Sequence, residues 1–163
     1  MQFIILAAFF LDAYAFSTEG VVGFAIGRRN QKSFLLAVKN SIQLSFFTAL
    51  IISILYLIFF KQIINIITDI DILRFISYKH AIWIIIIPPV ASFCYQLDGI
   101  FIGASQTKEM RNAMMVSVAS FIVISIYLTK YFGNHGLWLS LLLFTALRSL
   151  TLKYFFNKIL KKF

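Results

Sequence analysis

The run NSIQLSFFTALIISILYLIFF, residues 40–60, contains no charged side chain. About 20 consecutive apolar residues wound as a helix match the hydrocarbon thickness of a bilayer. A soluble core helix has a polar face, and this run has none. The composition agrees. Of 163 residues, 61% are hydrophobic and 13% charged, with a mean hydropathy of +0.90. A soluble domain carries about 25% charged residues. A soluble globular protein, a disordered chain and a secreted disulfide scaffold are therefore excluded. The single Cys94 has no internal bridging partner.

Four further apolar runs flank this one. They cover about Phe3 to Ile26, Ala81 to about Ala104, Asn112 to Thr129, and Leu137 to Leu152. Continuous rather than alternating hydrophobicity predicts helices, because lipid leaves no partner for an open backbone. The expected fold is an all-α membrane protein with five transmembrane helices, forming one domain over residues 1–163. Between the second and third spans stands IINIITDIDILRFISYKH, residues 63–80. Ile63, Ile66, Ile67, Ile70, Leu73 and Ile76 recur there at helical spacing among Asp69, Asp71, Arg74 and Lys79. That pattern predicts one interfacial amphipathic helix, a connector rather than a lipid sensor, since its polar face is not strongly basic.

Orientation follows from the basic residues. Arg28, Arg29, Lys32, Lys39, Lys108, Arg111, Arg148, Lys153, Lys158, Lys161 and Lys162 fall on one side. Lys61, Arg74, Lys79 and Lys130 fall on the other. The positive-inside rule places the eleven in the cytoplasm, with Phe163 inside and Met1 outside. The net charge of +9 thus marks topology rather than a nucleic-acid surface. MQFIILAAFF begins inside an apolar run with no basic lead, unlike a signal peptide. The expectation is the C-terminal part of something longer.

Charges at membrane depth cost about 2.5–3.5 kcal/mol each on insertion scales and so mark candidate sites. Asp12 and Glu19 lie seven residues apart, within about 20° of one helix face and roughly 10 Å apart along it. They could line a water-filled cavity, sit near an interface, or pair with a cation on another helix. Asp98 is the only charge of the third run and follows Pro88-Pro89 by about ten residues. Two prolines should kink or interrupt that helix. Broken helices form substrate sites in transporters, although a kink alone can simply shape a bundle. Gly23 and Gly27, and Gly99 and Gly103, form two GxxxG pairs suited to close helix packing. His80 and His135 fall near span ends, as do Trp83, Trp138, Tyr78, Tyr131 and Tyr154, as in an interfacial belt. No nucleotide loop, catalytic triad or metal cluster is present, so the expected protein is not an enzyme and needs no cofactor.

Two stretches carry a family resemblance: LDAYAFSTEGVVGFAIGRRNQKSF, residues 11–34, and PPVASFCYQLDGIFIGASQTKEMRNAMMVS, residues 88–117. Both resemble the C-terminal half of multidrug and toxic compound extrusion (MATE) transporters, in the DinF-like branch. Ala13 departs from the glycine usual in that family. The resemblance implies the eighth to twelfth helices of a twelve-helix fold, a C-terminal lobe lacking its first helix, in a bacterial inner membrane. It implies export of organic, often cationic, compounds in exchange for H+ or Na+, with two lobes alternating around a central site. Asp12, Glu19 and Asp98 would face the lobe's cavity. Gly99 and Gly103 belong to the same motif, and Arg111 and Asn112 would stand at the cytoplasmic start of the fourth span. One lobe does not alternate alone, so the implied partner is a separately encoded N-terminal lobe; a gene remnant or a truncated gene model also fits. A small interaction protein using the GxxxG faces, and a lipid-linked oligosaccharide flippase, are the alternatives. The flippase ranks last, because no intramembrane basic cluster is evident.

Overall fold

A computed structural model gives the chain as helices joined by tight turns and describes residues 2–161 and 163. Met1 and Lys162, to which the sequence assigns opposite sides of the membrane, lie outside the described residues. Among the described residues there are six helices and no strand: α1 Gln2–Gly27, α2 Gln31–Ile67, α3 Asp71–Lys79, α4 Ala81–Gly103, α5 Thr107–Phe132 and α6 Asn134–Leu160. All but α3 are long and apolar enough to cross a membrane.

The turns are built from backbone conformation. Arg29 (φ 51°) and Ser105 (φ 54°) are left-handed. In each case the next amide reaches back five residues, from Asn30 to the Ala25 carbonyl (3.0 Å) and from Gln106 to that of Phe101 (2.9 Å). This arrangement satisfies the last carbonyls of α1 and α4. Asn30 then caps α2, its side chain accepting the Ser33 amide at 3.0 Å. Gly133 joins α5 to α6 with φ 56° and ψ −135°, a region open essentially to glycine alone.

The 63–80 segment differs from expectation. It is not one amphipathic helix: Ile63, Ile66 and Ile67 end α2, the chain is extended at Thr68, and the nine-residue α3 begins at Asp71. Electrostatics explains the break. Asp71 falls in the first turn of α3, where its charge favours the positive end of that helix. Arg74 fixes the corner. Its Nε donates to the Thr68 carbonyl (2.8 Å) and its Nη2 to the Asn65 carbonyl (3.2 Å) and to Asp69 (3.1 Å). Pro88 and Pro89 also behave unlike an interruption. Both lie inside a continuous α4, although they deprive the Ile84 and Ile85 carbonyls of their usual donors.

α4 is the centre of the bundle. It packs against α1, α2 and α6, while α5 packs mainly on α6. Ile100, Phe101 and Ala104 join Val22, Phe34 and Leu152 in the largest buried cluster. Phe34 also meets Phe156 and Phe163, with ring centroids 5.9 and 5.2 Å apart, which ties the C-terminus to the start of α2. The remaining faces expose large apolar side chains such as Phe9, Phe16, Leu57 and Ile126. Exposure of this kind fits a bilayer, where lipid replaces water as the solvent for those faces.

Candidate functional site

α4 and α6 meet through a charged pair. Arg148 Nη2 lies 2.8 Å from Asp98 Oδ2 and donates to Oδ1 at 2.9 Å. Both side chains are largely buried, at 16% exposed for Arg148 and 18% for Asp98. Arg148 stands fourteen residues from the start of α6 and twelve from its end, so it belongs to the middle of the span. The sequence had counted it with the basic end of the last span. The remaining ten residues of that group still outnumber four.

The pair borders a cavity of about 230 Å³ between α1, α4 and α6. Pro88, Cys94, Tyr95 and Thr145 line it alongside the pair, and the N-terminal half of α1 closes it from Ile4 to Leu11. Asp12 is half-buried one residue farther along α1. Of the three predicted acids, Asp98 lines this cavity and Asp12 follows directly on its lining residue Leu11. Glu19, two turns on, is half-buried on the same side of α1. Its carboxylate makes no hydrogen bond or ion pair among the described residues.

Small residues set the spacing of the helices that hold these groups. A Cβ on Gly99 would overlap the Ala15 carbonyl, and one on Gly103 would lie 2.5 Å from the Glu19 carbonyl oxygen. Gly23 faces the Gly103 carbonyl, where a Cβ would sit at 3.4 Å. A Cβ on Gly27 would meet nothing within 4 Å, so this glycine takes no part in the close contact. Behind the contact, the buried Thr18 hydroxyl donates to Gln96 Oε1 at 2.7 Å and is as close to the Tyr14 carbonyl. Thr48 donates to the Tyr14 hydroxyl at 2.9 Å, linking α2 to α1. Arg111 and Asn112 are exposed in the first turns of α5.

Two contacts escaped the sequence. Arg148 was read as topology, yet the signal was present: Asp98 is the sole charge of one apolar run and Arg148 the sole charge of another, and such charges tend to find each other. His80 and His135, read as separate interfacial residues, stack with centroids 4.4 Å apart. Trp83 Nε1 donates to His135 Nδ1 at 3.0 Å. Nothing in their spacing signals that contact, which depends on α4 and α6 starting at the same level. Among the described residues no three His, Cys, Asp or Glu side chains converge as a metal site requires.

The family model MatE matches residues 1–130. Over 152 residues, 93% of this chain, the sequence is 36% identical to DNA damage-inducible protein F of Escherichia coli (strain K12), and the match covers 33% of that protein. The chain thus spans about a third of the length of the curated relative it matches. No solved structure matches.

Proposed function

This chain belongs to the MatE family, and from that premise we propose that it is a partial C-terminal lobe of a multidrug exporter in a bacterial inner membrane. The exporter moves organic, often cationic, compounds outward in exchange for H+ or Na+ by alternating access. The chain acts as one transmembrane domain with no chemical catalysis of its own, and transport requires the rest of the transporter, supplied as a separate N-terminal portion. The observation that supports this most is the Asp98–Arg148 pair beside a cavity in the middle of the spans. A proton or sodium ion arriving at Asp98 competes with Arg148 for the same carboxylate. Its binding would loosen the clasp between α4 and α6, and its departure would restore it. Asp12, next to the lining residue Leu11 on α1, adds negative charge nearby, which favours cations there. Glu19 extends that stripe along α1. Gly99 and Gly103 hold α4 close to α1 so that these acids share one space.

Efflux measurements test the proposal. The chain expressed alone in a drug-sensitive host should give no ethidium efflux above background. Joined to an N-terminal portion that restores efflux, Asp98→Asn should lower the rate at least about tenfold while leaving the amount of folded protein unchanged. Efflux unchanged by Asp98→Asn would make the acid structural and remove the coupling role.

The proposed topology puts the ten basic residues and the C-terminus in the cytoplasm. Reporter fusions after Lys39 and after Lys162 should read cytoplasmic, and one near Asp71 should read external. A cytoplasmic signal at Asp71 overturns the orientation.

A further inference from the structure

Two imidazoles join the starts of α4 and α6. His80 ends the turn before α4, and His135 is the second residue of α6. Their rings stack with centroids 4.4 Å apart and planes 22° from parallel. The partners of each ring fix where its proton sits. An indole nitrogen only donates, so His135 Nδ1, 3.0 Å from Trp83 Nε1, carries no proton. A carbonyl only accepts, so the proton of His80 is on Nδ1, 2.9 Å from the Ile76 oxygen. Asn134 Nδ2 donates to the other His80 nitrogen at 3.3 Å. Every one of these bonds suits a neutral ring.

A second proton affects the two rings differently. On His80 it is met by turning the Asn134 amide, which then presents its oxygen. On His135 it lands on Nδ1 and confronts the Trp83 N–H, which has no acceptor to offer. A positive charge here also meets the positive ends of α4 and α6, so the charged pair gains by separating. No carboxylate offsets it: neither imidazole forms an ion pair among the described residues. On the His80 side, α1 and α2 present Gln2, Phe3, Ile64 and Ile67, none of them titratable. Tyr78 of α3 is engaged with Asn65. Lys79 beside His80, and Lys130 in the last turn of α5, are exposed and add only like charge.

The contact closes one end of a path. A cavity of about 230 Å³ beside His80 is lined by Phe3, Ile84 and Trp138. The cavity that holds Asp98 is lined by Ile4, Ile87 and Leu141, the next residue on α1 and the next turn on α4 and α6. The two hollows therefore follow one another along the same three helices. The Asp98–Arg148 pair lies about 20 Å farther along α6, so α4 and α6 are clasped at two levels.

We propose that the His80–His135–Trp83 contact is an acid-released latch: a proton taken up by His135 displaces the Trp83 N–H, and the starts of α4 and α6 part above the Asp98 cavity. The latch is closed while both rings are neutral and opens as pH falls through the range in which imidazole titrates, about pH 8 to 5. The inference goes beyond the exporter reading. It takes from that reading only the orientation, which puts this end of the bundle outside and makes external acidity the signal.

Distance measurements on the full chain in mixed micelles test it. Spin labels are attached in a Cys94→Ser background through Ile82→Cys and Leu137→Cys, both exposed apolar positions at the starts of α4 and α6. Between about pH 8 and pH 5 the label separation should widen by about 2 Å or more, the size of a helix shift. His135→Gln, whose side-chain oxygen still accepts from Trp83, should stay closed at both pH values. His80→Gln should still widen. Trp83→Phe, which removes the donor, should be parted at both, and it serves if His135→Gln does not fold. An unchanged separation in the parent protein, widening in His135→Gln equal to the parent's, or loss of widening in His80→Gln overturns the latch. So does a fall in helical content at pH 5, which would make the widening unfolding. No transport enters the measurement. A latch that fails here leaves the exporter reading intact, and absent efflux leaves the latch intact.

Discussion

Replacing Arg148 with leucine should destabilise the bundle by about 3–5 kcal/mol, the usual cost of stranding one member of a buried ion pair. The pair joins α4 to α6 at 2.8 Å with both side chains largely buried, so Asp98 would lose its counter-charge in a place water reaches poorly. The double variant Asp98→Leu/Arg148→Leu should recover most of that loss, because removing both charges also removes the cost of burying them. Unfolding of the wild type, Asp98→Leu, Arg148→Leu and the double variant in mixed micelles, followed by circular dichroism, gives the four stabilities needed for the cycle. A single Arg148→Leu change costing less than about 1 kcal/mol would show that the pair does not hold the helices together. If the double variant is as unstable as the single one, packing rather than charge explains the loss.

A second large effect is expected at the crossing of α1 and α4. Gly99→Leu and Gly103→Leu should each prevent the two backbones from approaching as they do. Even the first added carbon collides with a carbonyl group rather than a movable side chain. Overpacking typically costs about 1–3 kcal/mol, and here the obstruction is backbone, so the upper end or beyond is expected. The combined variant should lose its folded, monodisperse peak on size exclusion. Gly27→Leu should leave that peak unchanged, since nothing lies within 4 Å of a Cβ there. Equal behaviour of the three single variants would mean that the close crossing is not what positions α4.

Much of this fold is legible in the sequence because lipid permits so few alternatives. An uncharged run such as residues 40–60 has one stable form in a bilayer, and its length sets the span. The same reasoning placed Asp12 and Asp98 as the acids to explain. It was less informative where water returns. Hydrophobic spacing continues through Ile67 and Ile70, so residues 63–80 looked like one helix, while Asp69, Asp71 and the Arg74 contacts decide the break. Helix ends were similarly short: α2 reaches from Gln31 to Ile67, well past the apolar run, because a membrane helix continues into polar flanks until a cap stops it. The Asp98–Arg148 contact spans 50 residues. Periodicity reports the faces of each helix, not which face meets which. Arg148 was therefore visible as a charge and hidden as a partner.

That separation of 50 residues also orders events during synthesis. At roughly 5–20 residues per second, Asp98 leaves the ribosome on the order of 3 to 10 seconds before Arg148. Over that interval α4 must enter the bilayer with its acid unanswered. Its apolar stretch from Ile82 to Ile87 offsets a penalty of about 2.5–3.5 kcal/mol. α6, emerging later, then neutralises a charge inserted before it. Nascent chains halted before Arg148 should accordingly be slow to commit α4 to the membrane and easy for proteases to reach.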